Sequence, residues 1–299
     1  MTICTLTLSP ALDIEYHVKA VSAGLNRTSG HTISAGGKGI NVSRAILRCA
    51  QRDGSDLPAG FTLRTAAPLG GPTGGMMKTL LEAEGVPVTD IPIRENTRVN
   101  VSLIPERGDP LEINAPGTPL SGTFPQITEE CLAGLGEGDV LVIAGSCPSD
   151  VPKSAPAVLV ELAKERGITA VLDCDGEALR LAVSSVVLPD LIKPNNEEMA
   201  ALAGCPANDR DALAAAALAT GIPTVIVTCA GDGAILAENG AESAHAVFHP
   251  TQRRPVVRLK GAGDTFLGAF VYARYAKNES AESAMEYAGR IAGEYVAGN

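Results

Sequence analysis

The segment Gly261-Ala262-Gly263-Asp264 combines residues suited to phosphate chemistry. A helix is predicted to begin here, because apolar residues follow at helical spacing, at Phe266, Ala269, Phe270 and Ala273. Unpaired backbone N–H groups at a helix start attract anions such as phosphate, and a carboxylate beside them can accept a proton from an attacking hydroxyl. Asp264 is equally compatible with a capping role after a glycine turn, and its spacing alone does not separate the two interpretations.

A second glycine-rich segment, Gly36-Gly37-Lys38-Gly39-Ile40-Asn41, also opens a predicted helix. Clustered glycines indicate a close backbone approach, so Lys38 is a candidate for holding an anionic substrate group and Asn41 for bonding sugar hydroxyls. The alternative is a tight turn with a solvated lysine. Neither glycine segment has the spacing of a Walker A loop or of the dinucleotide-binding fingerprint.

Further polar candidates lie at the ends of predicted strands. Asp13 lies where the first strand runs out, a place where ligands bind in parallel sheets, although a turn-forming aspartate is equally compatible. Lys193-Pro194-Asn195-Asn196-Glu197-Glu198 follows a strand that ends at Ile192. Glu198 is a candidate for binding magnesium, directly or through water, or else one of the acids that favour a helix start.

Two kinds of candidate are weaker when taken alone. The segment Thr228-Cys229-Ala230-Gly231-Asp232-Gly233 connects two predicted strands, where it either approaches a nucleotide or forms a plain hairpin turn. Arg27 and Arg98 are isolated arginines, and such residues are more commonly solvated than functional.

The elements that must position these residues alternate between strand and helix. Apolar runs of strand length lie at 140–144, 170–174, 188–192 and 225–228, and helix-like segments follow the first three. This pattern predicts parallel strands covered on both faces, hence a three-layer α/β/α core with a mostly parallel central sheet. Residues 11–36 and 88–117 alternate without helical periodicity, so we expect them to pair into a small β-sheet, with 1–10, 37–87 and 118–299 forming the core.

Composition narrows the class of protein. The chain of 299 residues has a formal net charge of −10 and only 3% aromatic residues, which argues against nucleic acid and anionic membranes as partners. Its seven cysteines contain no Cys-x-x-Cys pair and its four histidines are scattered, which disfavours a zinc site or a disulfide framework. Without a signal-peptide pattern or an apolar run of membrane-spanning length, we expect a cytoplasmic protein.

Taken in order, these segments resemble the PfkB/ribokinase family of carbohydrate kinases over essentially the whole chain. The glycine segment that continues to Val42-Ser43-Arg44 resembles the first family signature, and residues 261–266 resemble the second. Lys193-Pro194-Asn195-x-x-Glu198 matches the block between them. The 1-phosphofructokinase and tagatose-6-phosphate kinase subgroup is the most similar, through Pro10-Ala11-Leu12-Asp13, Asn26-Arg27, Thr97-Arg98-x-Asn100, Glu112-x-Asn114-x-Pro116-Gly117 and Gly145-Ser146-x-Pro148.

This resemblance implies a ribokinase-like fold with a β-sheet lid and a role for each candidate residue. Asp264 would be the catalytic base, and the anion hole would come from Gly261, Ala262 and Gly263. The sugar would be bound by Asp13, Gly37, Asn41 and Asn100, and its phosphate by Arg27, Lys38 and Arg98. The nucleotide would be bound by Lys193, Asn195, Thr228, Gly231 and Gly233, with Glu198 holding Mg²⁺ through water.

The implied reaction is the ATP- and Mg²⁺-dependent phosphorylation of a hexose monophosphate, first of all fructose 1-phosphate to fructose 1,6-bisphosphate. Tagatose 6-phosphate and fructose 6-phosphate are alternative substrates. A homodimer through the lid is the implied assembly. A non-catalytic sugar-phosphate sensor is the alternative from another class, because Arg258-Leu259-Lys260 departs from the residues that usually precede the second signature. Lys260 has no role assigned by the resemblance.

Overall fold

The computed structural model describes residues 1–54, 57, 60–120, 122–240, 243–252 and 254–298. The strands within these residues are β1 (Thr2–Leu6), β2 (Ala11–Val18), β3 (Thr28–Gly36), β4 (Thr62–Leu69), β5 (Val88–Pro92), β6 (Val99–Pro105), β7 (Leu111–Ile113), β8 (Val140–Ala144), β9 (Thr169–Asp173), β10 (Leu191–Ile192), β11 (Thr224–Thr228), β12 (Gly233–Asn239) and β13 (Ala244–Pro250). The helices are α1 (Lys38–Arg52), α2 (Gly71–Ala83), α3 (Phe124–Leu132), α4 (Ala155–Lys164), α5 (Gly176–Val183), α6 (Asn196–Ala203), α7 (Arg210–Ala219), α8 (Ala262–Val271) and α9 (Ala281–Val296).

The central sheet confirms the predicted core. Its strand order is β13-β12-β11-β10-β9-β8-β1-β4-β5, and every pair from β11 to β5 is parallel, whereas β12 and β13 are antiparallel. Parallel neighbours need crossover connections, which the helices supply. The carboxyl ends of β1, β9 and β10 therefore lie at one edge of the sheet, where ligands bind in open α/β folds.

The two faces of the sheet are buried by different helices. In β8, Val140 and Val142 pack in a cluster with α1, α8 and α9, whereas Leu141 and Ile143 pack in a second cluster with α3 to α7. Burial on both faces explains why these strands are nearly continuous apolar runs rather than alternating ones. The layer of α1, α8 and α9 carries both glycine-rich signatures.

The small sheet has the order β3-β2-β6-β7 and is called the lid below. Leu12 and Ala35 of the lid pack in one cluster with Ile40 near the start of α1 and with Met77 and Leu81 on α2. This cluster joins the lid to the core. Its β2 and β6 are parallel, and its outer pairs are antiparallel.

One predicted boundary is wrong. We expected residues 88–117 to belong wholly to the lid, but β5 pairs in parallel with β4 at the edge of the central sheet. Ile91 of β5 is fully buried in the core. The reason is the preceding connection: α2 returns the chain in a βαβ crossover, which places the next strand in the same sheet. The second lid segment therefore begins at β6.

The helix predicted from the spacing of Phe266, Ala269, Phe270 and Ala273 is present, with one irregularity. Helix α8 continues into a π-helical turn over Tyr272–Ala276 before α9 begins. None of the helices in the described part of the chain has the length and apolar character needed to cross a membrane. All seven cysteines are free thiols, and five are buried.

Candidate active site

Five side chains from four distant parts of the chain meet at the start of α8. Asn41 Nδ2 donates a hydrogen bond to Asp264 Oδ2 at 2.8 Å. Asp173, the last residue of β9, forms ion pairs with Lys38 Nζ at 3.5 Å and with Lys193 Nζ at 3.2 Å. The site thus contains two carboxylates and two ammonium groups. The sequence predicted three of these four charged groups, all but Asp173, and it also predicted Asn41.

Asp264 does not act as a helix cap. Gly261 occupies the N-cap position of α8, and the Asp264 carboxylate instead accepts the hydrogen bond from Asn41. Burial raises the pKa of Asp264 above its usual range, and repulsion from Asp173 raises it further, whereas Asn41, Lys193 and Lys38 oppose the shift. A buried aspartate with a raised pKa in a cleft is typical of a proton acceptor in catalysis.

The glycines before Asp264 form the turn that the sequence predicts. Gly261 has a left-handed backbone with φ of 83°, which an L side chain rarely adopts. Gly263 faces Lys193, since a Cβ atom added to Gly263 would lie 3.6 Å from Lys193 Nζ. A helix start beside an ammonium group suits an anion, although the Ala262 N–H already donates to the Leu259 carbonyl at 3.1 Å.

The last turn of α9 supports this glycine turn. The Tyr295 hydroxyl donates to the carbonyl of Lys260 at 2.8 Å. The amides of Val257 and Arg258 both donate to the Val296 carbonyl, at 2.9 and 3.1 Å. Three hydrogen bonds thus hold the loop that precedes the anion site.

Replacing Gly261 by alanine is expected to lower the free energy of unfolding by about 1–2 kcal/mol, since the left-handed backbone would be strained. The new Cβ would also lie 2.9 Å from the Tyr295 hydroxyl oxygen. We expect kcat to fall as well, because the turn must shift. Gly75→Ala is the matched control, since Gly75 lies within α2 with open space at its Cβ position. Thermal unfolding of both variants measures the difference, and equal stabilities would contradict the argument.

The first glycine segment allows the start of α1 to pack closely against neighbouring residues. A Cβ atom on Gly37 would lie 2.6 Å from Thr7 Cγ2, and one on Gly36 would lie 2.5 Å from Asp13 Oδ2. The glycines therefore serve a close approach, as predicted, and α1 begins directly beside β1 and the lid. This position brings Lys38 to Asp173 and Asn41 to Asp264.

Charge around Lys38 links it to the same site. Burial disfavours its ammonium form, but attraction from Asp173, Glu198, Asp264 and Asp175 outweighs burial and holds the pKa of Lys38 above its usual value. Lys38 is thus partly exposed, at 35%, and paired with Asp173 rather than free in solvent.

Asp13 lies at the root of the lid and both of its oxygens are engaged. Asn100 Nδ2 donates to Asp13 Oδ1 at 2.9 Å, and Lys260 Nζ lies 3.3 Å from Asp13 Oδ2. Lys260, which the resemblance left without a role, thus connects the loop before the anion site to the predicted sugar-binding carboxylate.

The two predicted phosphate-binding arginines differ in position. Arg98 lies beside Asp13, but its guanidinium donates to the carbonyls of Ser9, Pro10 and Ala115, so it supports the lid root. Arg27 is exposed and precedes β3 at the far end of the lid hairpin. Five residues, about 17 Å of strand, separate Asp13 from Val18, which pairs with Thr28. The structure therefore does not bring Arg27 to this site. The sequence shows that Arg27 lies next to β3, but it does not show which end of the hairpin faces a ligand.

Three of the five residues predicted to bind nucleotide line one cavity, and Lys193 and Asn195 are not among its lining residues. It is lined by Thr228, Gly231, Gly233, Ala262, Gly263 and Phe266, with Gly289 and Gly293 of α9. Thr228 N donates to the Pro194 carbonyl at 3.0 Å, and Asn195 forms a parallel bridge with Thr228. The turn at 228–233 does join two antiparallel strands, and it also forms one wall of this cavity.

Glu198 and Asn195 have a second role as a capping box. Asn195 Oδ1 accepts from Glu198 N at 2.8 Å, and Glu198 Oε2 accepts from Asn195 N at 2.8 Å. The box uses one carboxylate oxygen of Glu198. Among the residues that the structure describes, no group of three His, Cys, Asp or Glu side chains is placed to hold a metal ion. A metal here would take most of its ligands from water and phosphate, as Mg²⁺ commonly does.

Asp173 is the residue that the sequence analysis missed. It ends a buried strand at the carboxyl edge of the sheet, which is the signal that drew attention to Asp13. Asp173 was overlooked because it ends an apolar strand run, where an acidic residue can equally mark the beginning of a loop. The structure shows it 1% exposed between two lysines.

Known proteins are similar to this chain over most of its length. The profile described as pfkB family carbohydrate kinase matches residues 9–297. A 1-phosphofructokinase of Bacillus subtilis (strain 168) is 34% identical over 273 residues, which cover 90% of this chain and 84% of that protein. A tagatose-6-phosphate kinase of Staphylococcus epidermidis is 32% identical, covering 88% of this chain and 82% of that protein.

A solved structure is also similar over nearly the whole chain. The phosphofructokinase-2 from Escherichia coli in complex with fructose-6-phosphate superposes with a TM-score of 0.86 at 28% identity, covering 98% of this chain and 93% of the other. The same enzyme has also been solved in a tetrameric inhibited form. The family profile and the two relatives above 30% identity establish that this chain belongs to the pfkB family of carbohydrate kinases.

Proposed function

We propose that this carbohydrate kinase transfers a phosphoryl group from ATP to a hexose monophosphate, with fructose 1-phosphate as the first candidate and fructose 1,6-bisphosphate as its product. Tagatose 6-phosphate and fructose 6-phosphate are the alternative acceptors. The names of the two relatives and the sugar bound in the solved structure support a phosphorylated acceptor. So do Lys260 and Arg98, which place positive charge near Asp13.

A single observation carries the proposed mechanism: the Asp264 carboxylate is buried at the start of α8, directly after Ala262 and Gly263 of the nucleotide cavity, and is bonded to Asn41. In its ionised form Asp264 takes the proton of the acceptor hydroxyl while that oxygen attacks the γ-phosphorus of ATP. The bond to the β,γ-bridging oxygen breaks, and ADP leaves with its electron pair. The N–H groups of Gly261 and Gly263 and the Lys193 ammonium stabilise the charge that collects on the transferred group, whereas the Ala262 N–H donates to the Leu259 carbonyl.

The nucleotide and its metal have distinct supports in this proposal. ATP lies in the glycine-lined cavity with its phosphates toward Lys193, Asn195 and the start of α8. Glu198 is half-buried, and its negative charge attracts the Lys38 ammonium group. Its carboxylate therefore fits a water-mediated contact to Mg²⁺. When bound, Mg²⁺ neutralises charge on the nucleotide phosphates.

The substrate proposal is tested with a panel of acceptors. Purified protein with ATP and Mg²⁺ is expected to phosphorylate fructose 1-phosphate with a kcat/KM at least about tenfold above the neutral sugars, because a charged group gains from cations held in a low-dielectric site. Turnover of neutral sugars or nucleosides without turnover of sugar phosphates would overturn it. Preference for tagatose 6-phosphate or fructose 6-phosphate would select an alternative.

The lid also supports a proposed homodimer interface. Its outer strand β7 pairs with β6 alone among the described strands, and its apolar residues Leu111 and Ile113 are 45% and 58% exposed. Such an edge invites pairing with another copy. Light scattering of wild type and Ile113→Glu would separate a lid dimer from a monomer; the tetrameric form of the Escherichia coli relative shows that higher assemblies occur in the family.

A further inference from the structure

Arg44 lies one helical turn after Asn41 on α1 and contacts the amide that bonds the proposed base. Its Nη1 atom donates to Asn41 Oδ1 at 2.9 Å and to the Ala35 carbonyl at 2.7 Å. Its Nη2 atom donates to Glu84 Oε1 at 2.9 Å, and its Nε atom donates to Glu84 Oε2. The guanidinium therefore joins three elements: the end of β3, the end of α2 and the start of α1.

These contacts determine which way the Asn41 amide points. A guanidinium only donates hydrogen bonds, and an ionised carboxylate only accepts them. Asn41 must therefore turn Oδ1 toward Arg44 and Nδ2 toward Asp264, as observed. A rotated amide would place its NH₂ group against the guanidinium and its oxygen against the carboxylate, and both contacts would be repulsive.

Arg44 is itself held without help from Asn41. The Ala35 carbonyl and the bidentate contact to Glu84 fix the plane of the guanidinium, and its side chain is only 13% exposed. Bidentate arginine–carboxylate pairs are geometrically specific. A lysine ammonium at this position would lack the planar fork needed to reach all three acceptors in one geometry.

We propose that Arg44 is a positioning residue for catalysis: it orients the Asn41 amide so that Nδ2 donates to the Asp264 carboxylate. The inference rests on the proposed role of Asp264 as the base. It assigns catalytic importance to a side chain that does not line the nucleotide cavity and that acts on the base only through Asn41, with which it shares a second cavity. The competing possibility is a purely structural tie between α1 and α2 through the pair of Arg44 and Glu84.

The test is a double-mutant cycle with a pH profile. Arg44→Met is expected to lower kcat about tenfold and to move the acidic limb of the kcat profile to higher pH, because Asp264 loses a hydrogen bond that favours its ionised form. The other groups facing Asp264 stay in place; they are Lys38, Asp173 and Lys193. If Arg44 acts through Asn41, Arg44→Met combined with Asn41→Ala loses no more activity than Asn41→Ala alone.

Controls separate positioning from stability and from failure of the proposed function. Arg180→Met is the matched change at an exposed arginine paired with Glu177, and it should leave kcat and the acidic limb unchanged. Arg44→Lys keeps the charge and should show a smaller shift in the same direction; it replaces Arg44→Met if circular dichroism shows that the methionine variant is unfolded. The inference would be overturned if the two single-variant losses of kcat multiplied in the double variant. It would also be overturned if the acidic limb stayed in place in a folded Arg44→Met variant. Inactive wild type toward every sugar phosphate would instead refute the proposed function.

Discussion

Replacing Asp264 by asparagine is expected to lower kcat by about a thousandfold, since positioned general bases contribute about 10²–10⁴ to rate. The amide has nearly the same shape as the carboxylate and can still accept the hydrogen bond from Asn41, but it cannot take the proton of the acceptor hydroxyl. Substrate affinity should change little. Single-turnover kinetics and equilibrium binding of the sugar phosphate measure the two quantities separately.

The same variant should be at least as stable as wild type at neutral pH. The folded environment raises the pKa of Asp264, so the folded state binds a proton more readily than the unfolded state. Stability from this group is therefore greatest below its unfolded pKa and decreases as pH rises through the window up to the folded pKa. Asparagine carries no charge to bury, so its thermal midpoint at pH 7 should not fall.

Asp211→Asn is the matched control for this experiment. Asp211 is also an acid in the first turn of a helix, α7, but it is exposed and does not line the nucleotide cavity. Its replacement should leave turnover intact. If Asp264→Asn retained wild-type turnover, the base would have to be another group; if wild type itself bound a sugar phosphate without turnover, the sensor interpretation would hold.

Replacing Asp173 by asparagine is expected to combine a large loss of stability with a loss of activity. Lys193 is 6% exposed, and the substitution leaves its ammonium group buried without its nearest counter-charge. Removing one partner of a buried ion pair typically costs about 3–5 kcal/mol of unfolding free energy. Urea or thermal unfolding measures this loss. The remaining activity should have its acidic limb at lower pH, because Asp173 is one of the groups that raise the pKa of Asp264.

Asp90→Asn provides the comparison on the surface. Asp90 pairs with Lys78 at 3.0 Å, and both side chains are about two-fifths exposed, at 41% and 42%. Exposed pairs contribute about 0–1 kcal/mol. A loss for Asp173→Asn no larger than that for Asp90→Asn would contradict the view that the two lysines share one essential carboxylate.

The sequence predicted the layers of the fold and most of the reacting groups, because both depend on local patterns. Burial on two faces makes long apolar runs, and a glycine turn before a helix is visible as Gly261-Ala262-Gly263-Asp264. The approach of Lys260 to Asp13 could not be predicted, because it joins residues 247 positions apart through tertiary packing. The alternation of β5 likewise contains no information about which sheet receives it.

The residues with roles in two networks were also hidden from the sequence. Arg98 is a cation near the predicted sugar site, but three of its five N–H donors are bonded to backbone carbonyls. Glu198 matches a nucleotide-side motif and also caps α6. A motif names the residue type that is needed, whereas burial and hydrogen bonding determine how much of that side chain is left for a ligand.

The hydrogen bonds from the last turn of α9 to the loop at 257–260 have a consequence for how the protein matures. During synthesis, the four side chains of Lys38, Asn41, Lys193 and Asp264 emerge from the ribosome before Tyr295 and Val296 do. A nascent chain can therefore contain every proposed reacting side chain while the loop that shapes the phosphate-binding turn still lacks its support. Protease trimming just before Tyr295 would return a finished molecule to that condition, leaving the residues of both signatures intact.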